Sequence, residues 1–414
     1  MLIEFSVKNF MSFKNKVTLS MEKGNGDENL DNIFKWKDAE LVKVASIYGA
    51  NASGKSNLLK AFYCAILMVR NSSMISINGK WLFIKPFMFD DVSSKGPSEF
   101  EFIILASGVK YKYYFSTDGY KVYDEGLDAY YSQKPTSIFK RYDVNKYLFN
   151  ADKAKLEPLT AHNTDNKLFL STATTWNYDK TKDVFLWFNN VIDTYDSFDM
   201  ISNRDIISYK NNDNNIKQFA LKLLKESDIL INDIHVDYKE DETDKQVMEM
   251  FDAPLIKNVD IQVEHEIIDE NNNKHIYRLS FDEESRGTRV LFALAPFLKR
   301  AFESEKVIIV DELEKSLHPT LIECIVKLFN NKDINKANSQ LIFTTHAANL
   351  LNINLLRRDQ IWFTEKNPNN GVSSLYPLDS FSVRKDENIY KGYLSGRYGA
   401  VPFIRDTDLW LEDK

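Results

Sequence analysis

The sequence predicts an α/β protein that combines a mixed central sheet with an antiparallel β-lobe and an inserted helical arm. A glycine-rich turn separates an apolar, β-prone run that ends at Tyr48 from a helical segment over residues 55–69. Residues 306–312 and 339–346 contain continuous apolar and β-branched runs, which are typical of buried parallel strands. Residues 81–149 instead contain stretches with a two-residue alternation, as antiparallel strands do.

Composition bounds the class of protein. The chain has 414 residues, of which 43% are hydrophobic, so it can bury a large core in two or three domains, or in one domain with a large insertion. Its net charge of −7 argues against a surface that coats nucleic acid uniformly. Cys64 and Cys324 lie in apolar helical contexts and are predicted to be buried thiols. No uncharged apolar stretch approaches about 18 residues, so we expect a cytoplasmic protein without a membrane span.

The N-terminal region predicts a strand pair followed by a loop. Residues 2–8 alternate apolar and polar side chains, and residues 16–21 are their expected antiparallel partner. The turn between them reads Asn-Phe-Met-Ser-Phe over residues 9–13. Residues 22–38 are polar and rich in Gly, Asn and Asp, which predicts a loop.

Residues 49–56 match the phosphate-binding pattern G-x-x-x-x-G-K-[ST], between a predicted strand and a predicted helix. Glycines let backbone N–H groups curl around phosphate oxygens, while Lys55 is expected to reach the β- and γ-phosphates and Ser56 to bind Mg²⁺. The following helix directs the positive end of its dipole at the anion. The predicted nucleotide-binding residues of this segment are Gly49, Asn51, Ala52, Ser53, Gly54, Lys55, Ser56 and Asn57.

The middle of the chain changes character twice. Turn signals at Ser107-Gly108 and Asp118-Gly119 divide residues 81–149 into a meander with strands at Glu99–Leu105, Tyr111–Phe115 and Lys121–Asp128. Residues 150–230 look mainly helical, with helices expected around Asp179–Tyr195 and Ile216–Glu226. Residues 232–281 return to strands around a polar break at 269–274, and part of 180–250 is expected to form an arm.

A second group of chemically informative residues begins at 284–289, which reads Glu-Ser-Arg-Gly-Thr-Arg before an apolar helix, Val290–Phe302. Ser285 and Gly287 at a helix N-terminus can present a hydroxyl and N–H groups to a phosphate. Alone, they would indicate only a helix cap. Their position before the next motif favours a phosphate site.

Two carboxylates end the strand at 306–312. Asp311 is expected to hold Mg²⁺ through water, with Ser56 on the other side of the ion. Glu312 is expected to polarise the attacking water as a general base. Without the phosphate-binding loop, two acids at a strand end would often indicate only solvation.

The C-terminal part predicts a further core strand over 339–346 that ends in His346, which can contact a γ-phosphate or orient water. A lone histidine is more often structural, but the strand order favours the functional interpretation. The tail predicts strands at 360–365 and 373–376. Residues 396–402, Gly-Arg-Tyr-Gly-Ala-Val-Pro, fit a docking segment and a simple terminus equally well.

In this order the motifs resemble the ATP-binding-cassette-type branch of P-loop ATPases, which holds the SMC, RecF and OLD proteins. More closely, the sequence resembles AAA-family ATP-binding proteins of bacterial abortive-infection and phage-defence operons. The matching segments are the loop Gly49–Ser56, the signature Ser285–Gly287, the Walker B strand Val307–Glu312, the D-loop Ser316–Pro319, the switch His346 and the motif at 396–402, with lesser matches at Pro86-Phe87, Glu125–Leu127 and Leu168–Ser171. Family members usually have Arg where this chain has Met11, and no glutamine has a context that identifies it as the Q-loop residue.

The resemblance implies an ABC/SMC-like ATPase head that uses ATP and Mg²⁺. Residues 1–80 would form its N-terminal half, residues 81–281 the β-lobe and helical insertion, and residues 282–414 its C-terminal half. Two heads would dimerise around ATP, so that Ser285 and Gly287 of one copy complete the phosphate loop of the other. The implied catalytic residues are Lys55, Ser285, Glu312 and His346, with Ser12 near the nucleotide and Ser56 and Asp311 at the metal.

Two functions are compatible with these features. The first is an ATPase sensor or regulator of an anti-phage system that responds to a phage trigger and controls an effector, for which a nuclease is our interpretation. The effector is expected to be a separate protein, because only about 68 residues follow His346, fewer than a domain needs. The second is a DNA-binding repair or recombination ATPase of the RecF/SMC type, which the acidic balance mildly disfavours. A GTPase is weaker still, because Asn331-Lys332-Asp333 lacks the spacer of the base-reading motif.

Overall fold

The computed structural model describes residues 1–37, 39–195, 203–211, 215–240, 256–315, 317–384 and 387–401. Its strands are β1 (Leu2–Lys8), β2 (Val17–Ser20), β3 (Ile33–Trp36), β4 (Ala39–Val42), β5 (Val44–Tyr48), β6 (Ser98–Ala106), β7 (Val109–Thr117), β8 (Val122–Tyr130), β9 (Thr136–Tyr142), β10 (Lys146–Leu148), β11 (Ile192–Tyr195), β12 (Asp233–Glu240), β13 (Ile256–Ile268), β14 (Lys274–Ser280), β15 (Val307–Val310), β16 (Gln340–Thr344), β17 (Ile361–Lys366) and β18 (Ser373–Pro377). Its α-helices are α1 (Lys55–Asn71), α2 (Lys153–Leu156), α3 (Phe169–Thr175), α4 (Asp179–Asn190), α5 (Asn203–Asn211), α6 (Ile216–Glu226), α7 (Arg286–Glu303), α8 (Pro319–Asn330) and α9 (Ile389–Leu394).

The central sheet has the strand order β11-β15-β16-β5-β17-β18. Its first five strands run parallel, and β18 is antiparallel to β17, so the predicted mixed sheet is confirmed. All four residues of β15 are buried, but Val307 and Ile309 enter one core cluster while Ile308 and Val310 enter the other. Both faces of the strand are covered, which explains its continuous apolar run.

The β-lobe is an antiparallel sheet with the strand order β10-β9-β8-β7-β6-β1-β2, as predicted for the meander and the N-terminal pair. The two regions form one sheet because β1 pairs with β6, where Val7 lies opposite Phe100. Helix α1 packs on this sheet through Phe62, whose ring stacks on Phe5 with centroids 3.7 Å apart. The lobe is therefore packed directly against the helix that begins at the glycine-rich loop.

The helices form the layers around the central sheet. One core cluster joins the lobe, α1, α3 and α4 to one face of the central sheet, and the second joins α6, α7 and α8 to the other face. The buried amide of Gln340 ties the two sheets together, because it accepts from the backbone N–H of Leu2 at 2.8 Å and donates to its carbonyl at 2.9 Å. None of the helices in the described segments is long and apolar enough to span a bilayer.

Strands β12, β13 and β14 form a separate antiparallel sheet, with the predicted break between β13 and β14. Helix α6 follows its prediction and contributes Leu223 and Leu224 to the second core cluster. Residues 196–202, 212–214 and 241–255 of the predicted arm lie outside the described residues. Cys64 is buried, as predicted, whereas Cys324 is half-buried, and both are free thiols.

Two local predictions were wrong. Residues 22–38 are not all loop, because Ile33–Trp36 pairs with β4, and Phe34 and Trp36 pack against a small apolar cluster around the buried Leu41. The helix expected over 179–195 ends at Asn190, and Ile192–Tyr195 instead forms the edge strand β11 beside β15. Residues 192–195 include β-branched side chains and lie beside the unpaired edge of β15. The backbone hydrogen bonds gained there outweigh the tendency of the segment to continue the preceding helix.

A buried carboxylate joins the β-lobe to the helices. Glu125 on β8 is fully buried and accepts hydrogen bonds from the N–H groups of Phe169 (2.6 Å) and Leu170 (2.9 Å) and from the Tyr113 hydroxyl (3.0 Å). The guanidinium of Arg141 lies 3.8 Å from it. The acid thus caps the N-terminus of α3, where negative charge is favoured. Two short segments that resembled the family in sequence meet at this contact.

Replacement of Glu125 by Ala is expected to destabilise the fold by about 3–5 kcal/mol, because it leaves the buried Arg141 guanidinium without its counter-charge and the α3 N–H groups without their acceptor. Urea unfolding followed by circular dichroism would measure this. The matched control is Glu99→Ala on β6, which removes a half-exposed pair with Lys8 and should cost about 0–1 kcal/mol. Equal losses in the two variants would contradict a structural role for the buried carboxylate.

Candidate functional site

The glycine-rich loop leaves β5 and enters α1 through a tightly packed turn. Ala52 and Gly54 have φ angles of 62° and 122°, both in the left-handed region. A side chain at Gly49 would place Cβ 2.5 Å from the Thr364 carbonyl oxygen, and one at Gly54 would place it 2.7 Å from the Ser373 hydroxyl. Both glycines are therefore required by close approach to β17 and β18, and Gly54 also by its backbone angle.

Hydrogen bonds hold the loop against the neighbouring strands. The Ser53 hydroxyl pairs with that of Thr364 at 2.6 Å, and the Ser53 carbonyl accepts from the Ser373 hydroxyl at 2.6 Å. The Ser12 carbonyl accepts from the Ser373 N–H at 2.8 Å. The Ser12 hydroxyl accepts from the Asn57 side-chain amide at 2.8 Å. The structure thus brings Ser12 to the loop and to the first turn of α1.

Lys55 is 6% exposed and donates to the backbone carbonyls of Gly49 (2.7 Å) and Ala50 (3.2 Å). Burial lowers the pKa of Lys55, since the charged ammonium loses hydration. Three carboxylates oppose this shift and favour the charged form, in decreasing order Glu314, Asp311 and Glu312. The residues predicted from two distant motifs therefore share one electrostatic environment.

One threonine orients both predicted carboxylates at the end of β15. The Thr344 hydroxyl donates to Oδ1 of Asp311 at 2.5 Å and accepts from the backbone N–H of Glu312 at 2.8 Å. Glu312 has a φ of 51°, an unusual backbone angle for a residue with a side chain. The hydroxyl therefore helps to fix a strained turn that presents Glu312 on the surface and keeps Asp311 half-buried.

Glu314 is a site residue that the sequence reasoning missed. Its Oε1 accepts from the backbone N–H of His346, and its Oε2 is buried with no hydrogen-bond partner among the described residues. It also has the largest carboxylate influence on Lys55. In the sequence, Glu314 appears only as a third acid in Asp-Glu-Leu-Glu. Its side chain points into the protein because of the turn at Glu312, and the spacing of the acids does not reveal that turn.

His346 lies just beyond β16, which ends at Thr344, and its side chain is exposed. Its backbone N–H donates to Glu314, so the residue lies beside that carboxylate, and the predicted contact of its imidazole with a γ-phosphate or water stays a prediction. Asn51 and Ala52 are exposed at the tip of the glycine-rich loop, and Ser56 is half-buried in the first turn of α1.

Ser285 caps α7, since its hydroxyl accepts from the N–H of Thr288 at 3.1 Å and pairs with the Thr288 hydroxyl at 2.8 Å. Ser285 is exposed and Gly287 is half-buried at this helix N-terminus. Within the described part of one chain, the hydrogen bonds of Ser285 stay inside its own helix turn. These hydrogen bonds therefore do not connect Ser285 to the glycine-rich loop of the same copy.

Two other predicted motifs have local roles. Ser316 lies outside the described residues, while His318 of the same segment caps α8 through Thr320. Tyr398 of the C-terminal motif is buried and stacks on Phe363 of β17 with ring centroids 5.9 Å apart. This motif therefore docks on its own chain beside the central sheet; its last residue, Pro402, lies outside the described residues.

A second polar cluster lies on the three-stranded sheet. The side chains of Asp233, His235 and Glu264 have ligand atoms within 4.8 Å of one another. Lys217 pairs with Asp233 at 2.6 Å and Arg278 with Glu264 at 2.7 Å, so both carboxylates have cationic partners. Desolvation raises the pKa of Asp233, but its ion pairs outweigh this effect and the pKa is lowered. The pKa of Glu264 is also lowered by its partners, so the cluster is an ion-pair network.

The donors and acceptors at the sheet edge fit a magnesium-bound polyphosphate. The N-terminus of α1, the loop backbone and Lys55 supply positive charge and N–H donors. Ser56 and Asp311 supply oxygen ligands of the type that Mg²⁺ prefers. The unpartnered buried oxygen of Glu314 lies in the same environment. These residues could hold both the phosphate chain and its metal.

The parallel sheet, the glycine-rich loop and the strand-end carboxylates define a nucleoside triphosphatase-type protein of the P-loop class. Residues 44–352 match a protein-family profile described as "AAA domain, putative AbiEii toxin, Type IV TA system". The match spans about three quarters of the sequence, and the chain belongs to this family.

Solved structures of SMC head domains also align with the chain. An SMC head bound to the C-terminal winged-helix domain of ScpA covers 91% of this chain and 97% of its own, at 14% identity and a TM-score of 0.40. The SMC head domain from Thermotoga maritima covers 91% and 98%, at 14% identity and a TM-score of 0.38. Comparison with curated proteins gave no match.

Replacement of Gly54 by Ala is expected to lower the free energy of unfolding by roughly 1–3 kcal/mol, because the new Cβ meets Ser373 and the backbone angle is strained. Urea unfolding is the measurement. Gly396→Ala is the matched control, since Gly396 also has a positive φ of 76°, but no atom of the described residues lies within 4 Å of the position that its Cβ would occupy. A smaller loss at Gly54 than at Gly396 would show that the close packing of the loop is not required.

Proposed function

We propose that this protein binds ATP with Mg²⁺, hydrolyses it between two copies of the chain, and so acts as the sensor or regulatory subunit of a bacterial anti-phage system. Its effector would be a separate protein, a nuclease in the form we favour. One observation carries the proposal: the glycine-rich loop follows β5 and the carboxylates follow β15, and the parallel register of β15, β16 and β5 places both at one edge of the sheet. That combination belongs to nucleotide hydrolysis rather than to anion binding alone.

The side chains divide the chemistry between them. Bound magnesium would supply charge neutralisation on the phosphates, with Ser56 and Asp311 as its protein ligands. Lys55 and the loop N–H groups hold the phosphate oxygens, and Glu312 accepts the proton of the attacking water. Thr344 keeps Asp311 and Glu312 in fixed orientations, and Glu314 positions the backbone of His346 beside them.

Dimerisation is supported by the position of the signature residues. Ser285 is exposed at the N-terminus of an 18-residue helix, with its hydrogen bonds confined to its own turn. A helix N-terminus of this kind binds phosphate. We infer that it completes the phosphate site of a second copy, so that hydrolysis requires assembly.

The defence role is supported by the family and by the sequence motifs. The family description names a toxin and a type IV toxin–antitoxin system, which is a two-component arrangement. The motifs at 284–289, 311–319, 344–346 and 396–402 resemble those of ATPases of abortive-infection operons. We infer that a phage trigger changes the nucleotide state of the dimer and that this change releases or activates the partner.

Replacement of Glu312 by Gln is expected to abolish ATP hydrolysis and to trap an ATP-bound dimer, because the amide has nearly the same shape but cannot accept the proton of water. Turnover is measured by phosphate release, and mass by light scattering with and without ATP. Unchanged turnover would remove Glu312 from the role of general base.

The matched control adds Ser285→Arg to the Glu312→Gln variant. The arginine should block the face of α7 that meets the second copy, so the ATP-dependent dimer disappears while the monomer still binds ATP. A dimer that persists with arginine at this position would contradict the composite site.

Replacement of Lys55 by Ala should abolish phage protection in cells that express this protein with its neighbouring genes, because phosphate binding is lost. Plaque counts should rise to those of cells without the genes. Lys60→Ala on the same helix is the control, since Lys60 is exposed and should leave protection intact. Protection by the Lys55 variant at equal protein levels would contradict the proposal. DNA-stimulated hydrolysis at physiological salt, without any partner, would favour the repair function instead.

A further inference from the structure

A cleft of about 660 Å³ borders the glycine-rich loop. Residues 50–53 of the loop form one side, and the end of β17 with the turn that follows it, residues 364–371, forms another. Phe89 closes a third side. The cleft thus adjoins residues 50–53 of the loop, and among the described residues its lining has one carboxylate, Glu365, beside the side-chain amides of the turn.

The strand order tells which end of a bound nucleotide would face this cleft. Strand β5 lies between β16 and β17. The carboxylates follow β15 and Thr344 ends β16, both on one side of β5, so on the proposed function they mark the end of the phosphate chain that is hydrolysed. A chain that extends across the loop away from these carboxylates has its other end on the β17 side, where the cleft lies.

Phe89 has the properties of a stacking surface. Its side chain is 70% exposed, so the ring is accessible to a ligand in the cleft. The ring is nevertheless held in place, because it packs edge-to-face on the buried Phe87 with centroids 5.5 Å apart. It also lies directly over Gly371, where any Cβ would be 2.7 Å from the ring.

The turn after β17 supplies polar groups beside the ring. The side-chain oxygens of Asn367 and Asn370 accept from the backbone of the turn, at 2.9 Å and 3.0 Å. Both residues line the cleft, and their NH₂ groups can donate to a ligand there. Lys366 places its ammonium 5.8 Å from the Phe89 ring. An aromatic face next to hydrogen-bond donors suits a purine, whose ring stacks and whose nitrogens accept.

We propose that this cleft receives the nucleoside end of the bound triphosphate and that the purine stacks on Phe89. Phe89 is then a specificity-determining residue that contributes to the affinity for ATP but not to that for the phosphates alone. This inference rests on the proposed function, since it requires a nucleotide on the glycine-rich loop.

The test compares two ligands on the full chain by calorimetry with Mg²⁺: ATP, which has a base, and inorganic tripolyphosphate, which has none. For Phe89→Ala the Kd for ATP should rise about tenfold, the size expected for the loss of one base–aromatic stack, while the Kd for tripolyphosphate stays unchanged. Phe89→Tyr should bind ATP like the original chain. The control is Met88→Ala, which removes a neighbouring exposed side chain that does not line the cleft.

The outcomes separate the two levels of the proposal. If the original chain binds neither ligand, the proposed function fails together with this inference. If it binds both, and Phe89→Ala binds ATP equally well, only the stacking proposal is overturned. A parallel loss of ATP and tripolyphosphate affinity would also overturn it, because Phe89 would then act on the shape of the loop.

Discussion

The register of three parallel strands holds the candidate site together. Val310 of β15 lies beside Phe343 of β16, and Thr344 of β16 lies beside Ile47 of β5, so the three strands end at one edge. The pairing continues beyond the strands, where Leu313 N–H donates to the Thr344 carbonyl. Because each strand alternates between two core clusters, a slip of one residue would turn its apolar side chains to the wrong face. The fold core therefore fixes the distances between the loop and the carboxylates.

The same core connects the site to the β-lobe through a single helix. Helix α1 begins at Lys55 and ends at Asn71, where Ser72 accepts from the N–H of Leu168 and the Val69 carbonyl accepts from the Ser171 hydroxyl. These contacts lead to α3, whose N-terminus is capped by Glu125 of the lobe. A displacement of α1 at the glycine-rich loop would consequently act on the lobe through hydrogen-bonded neighbours rather than through a flexible linker.

The sequence was informative where chemistry depends on spacing along the chain. Gly49, Gly54, Lys55 and the pair Asp311-Glu312 were recognisable because a loop of fixed length must follow one strand and acids must end another. Thr344 and Glu314 were not, since their roles depend on which side chains the sheet places opposite them. The edge strand β11 was missed for a related reason, because its backbone hydrogen bonds are made with β15, which lies more than a hundred residues later in the sequence. Local pattern thus predicted the residues of the candidate site, while tertiary pairing decided what orients them.

The two sides of the glycine-rich loop differ in a way that separates binding from hydrolysis. Toward β16 the loop faces carboxylates, which repel a phosphate chain unless cations neutralise them. Toward β17 it faces an aromatic ring and amide donors, which attract a base without any metal. On the proposed function, one copy of the chain therefore supplies most of the contacts that bind ATP. On the same proposal, Ser285 of a second copy adds a hydrogen-bond donor for the charge that develops on the phosphates during hydrolysis. On this proposal a single copy can hold ATP without hydrolysing it, and hydrolysis begins only when two ATP-loaded copies meet.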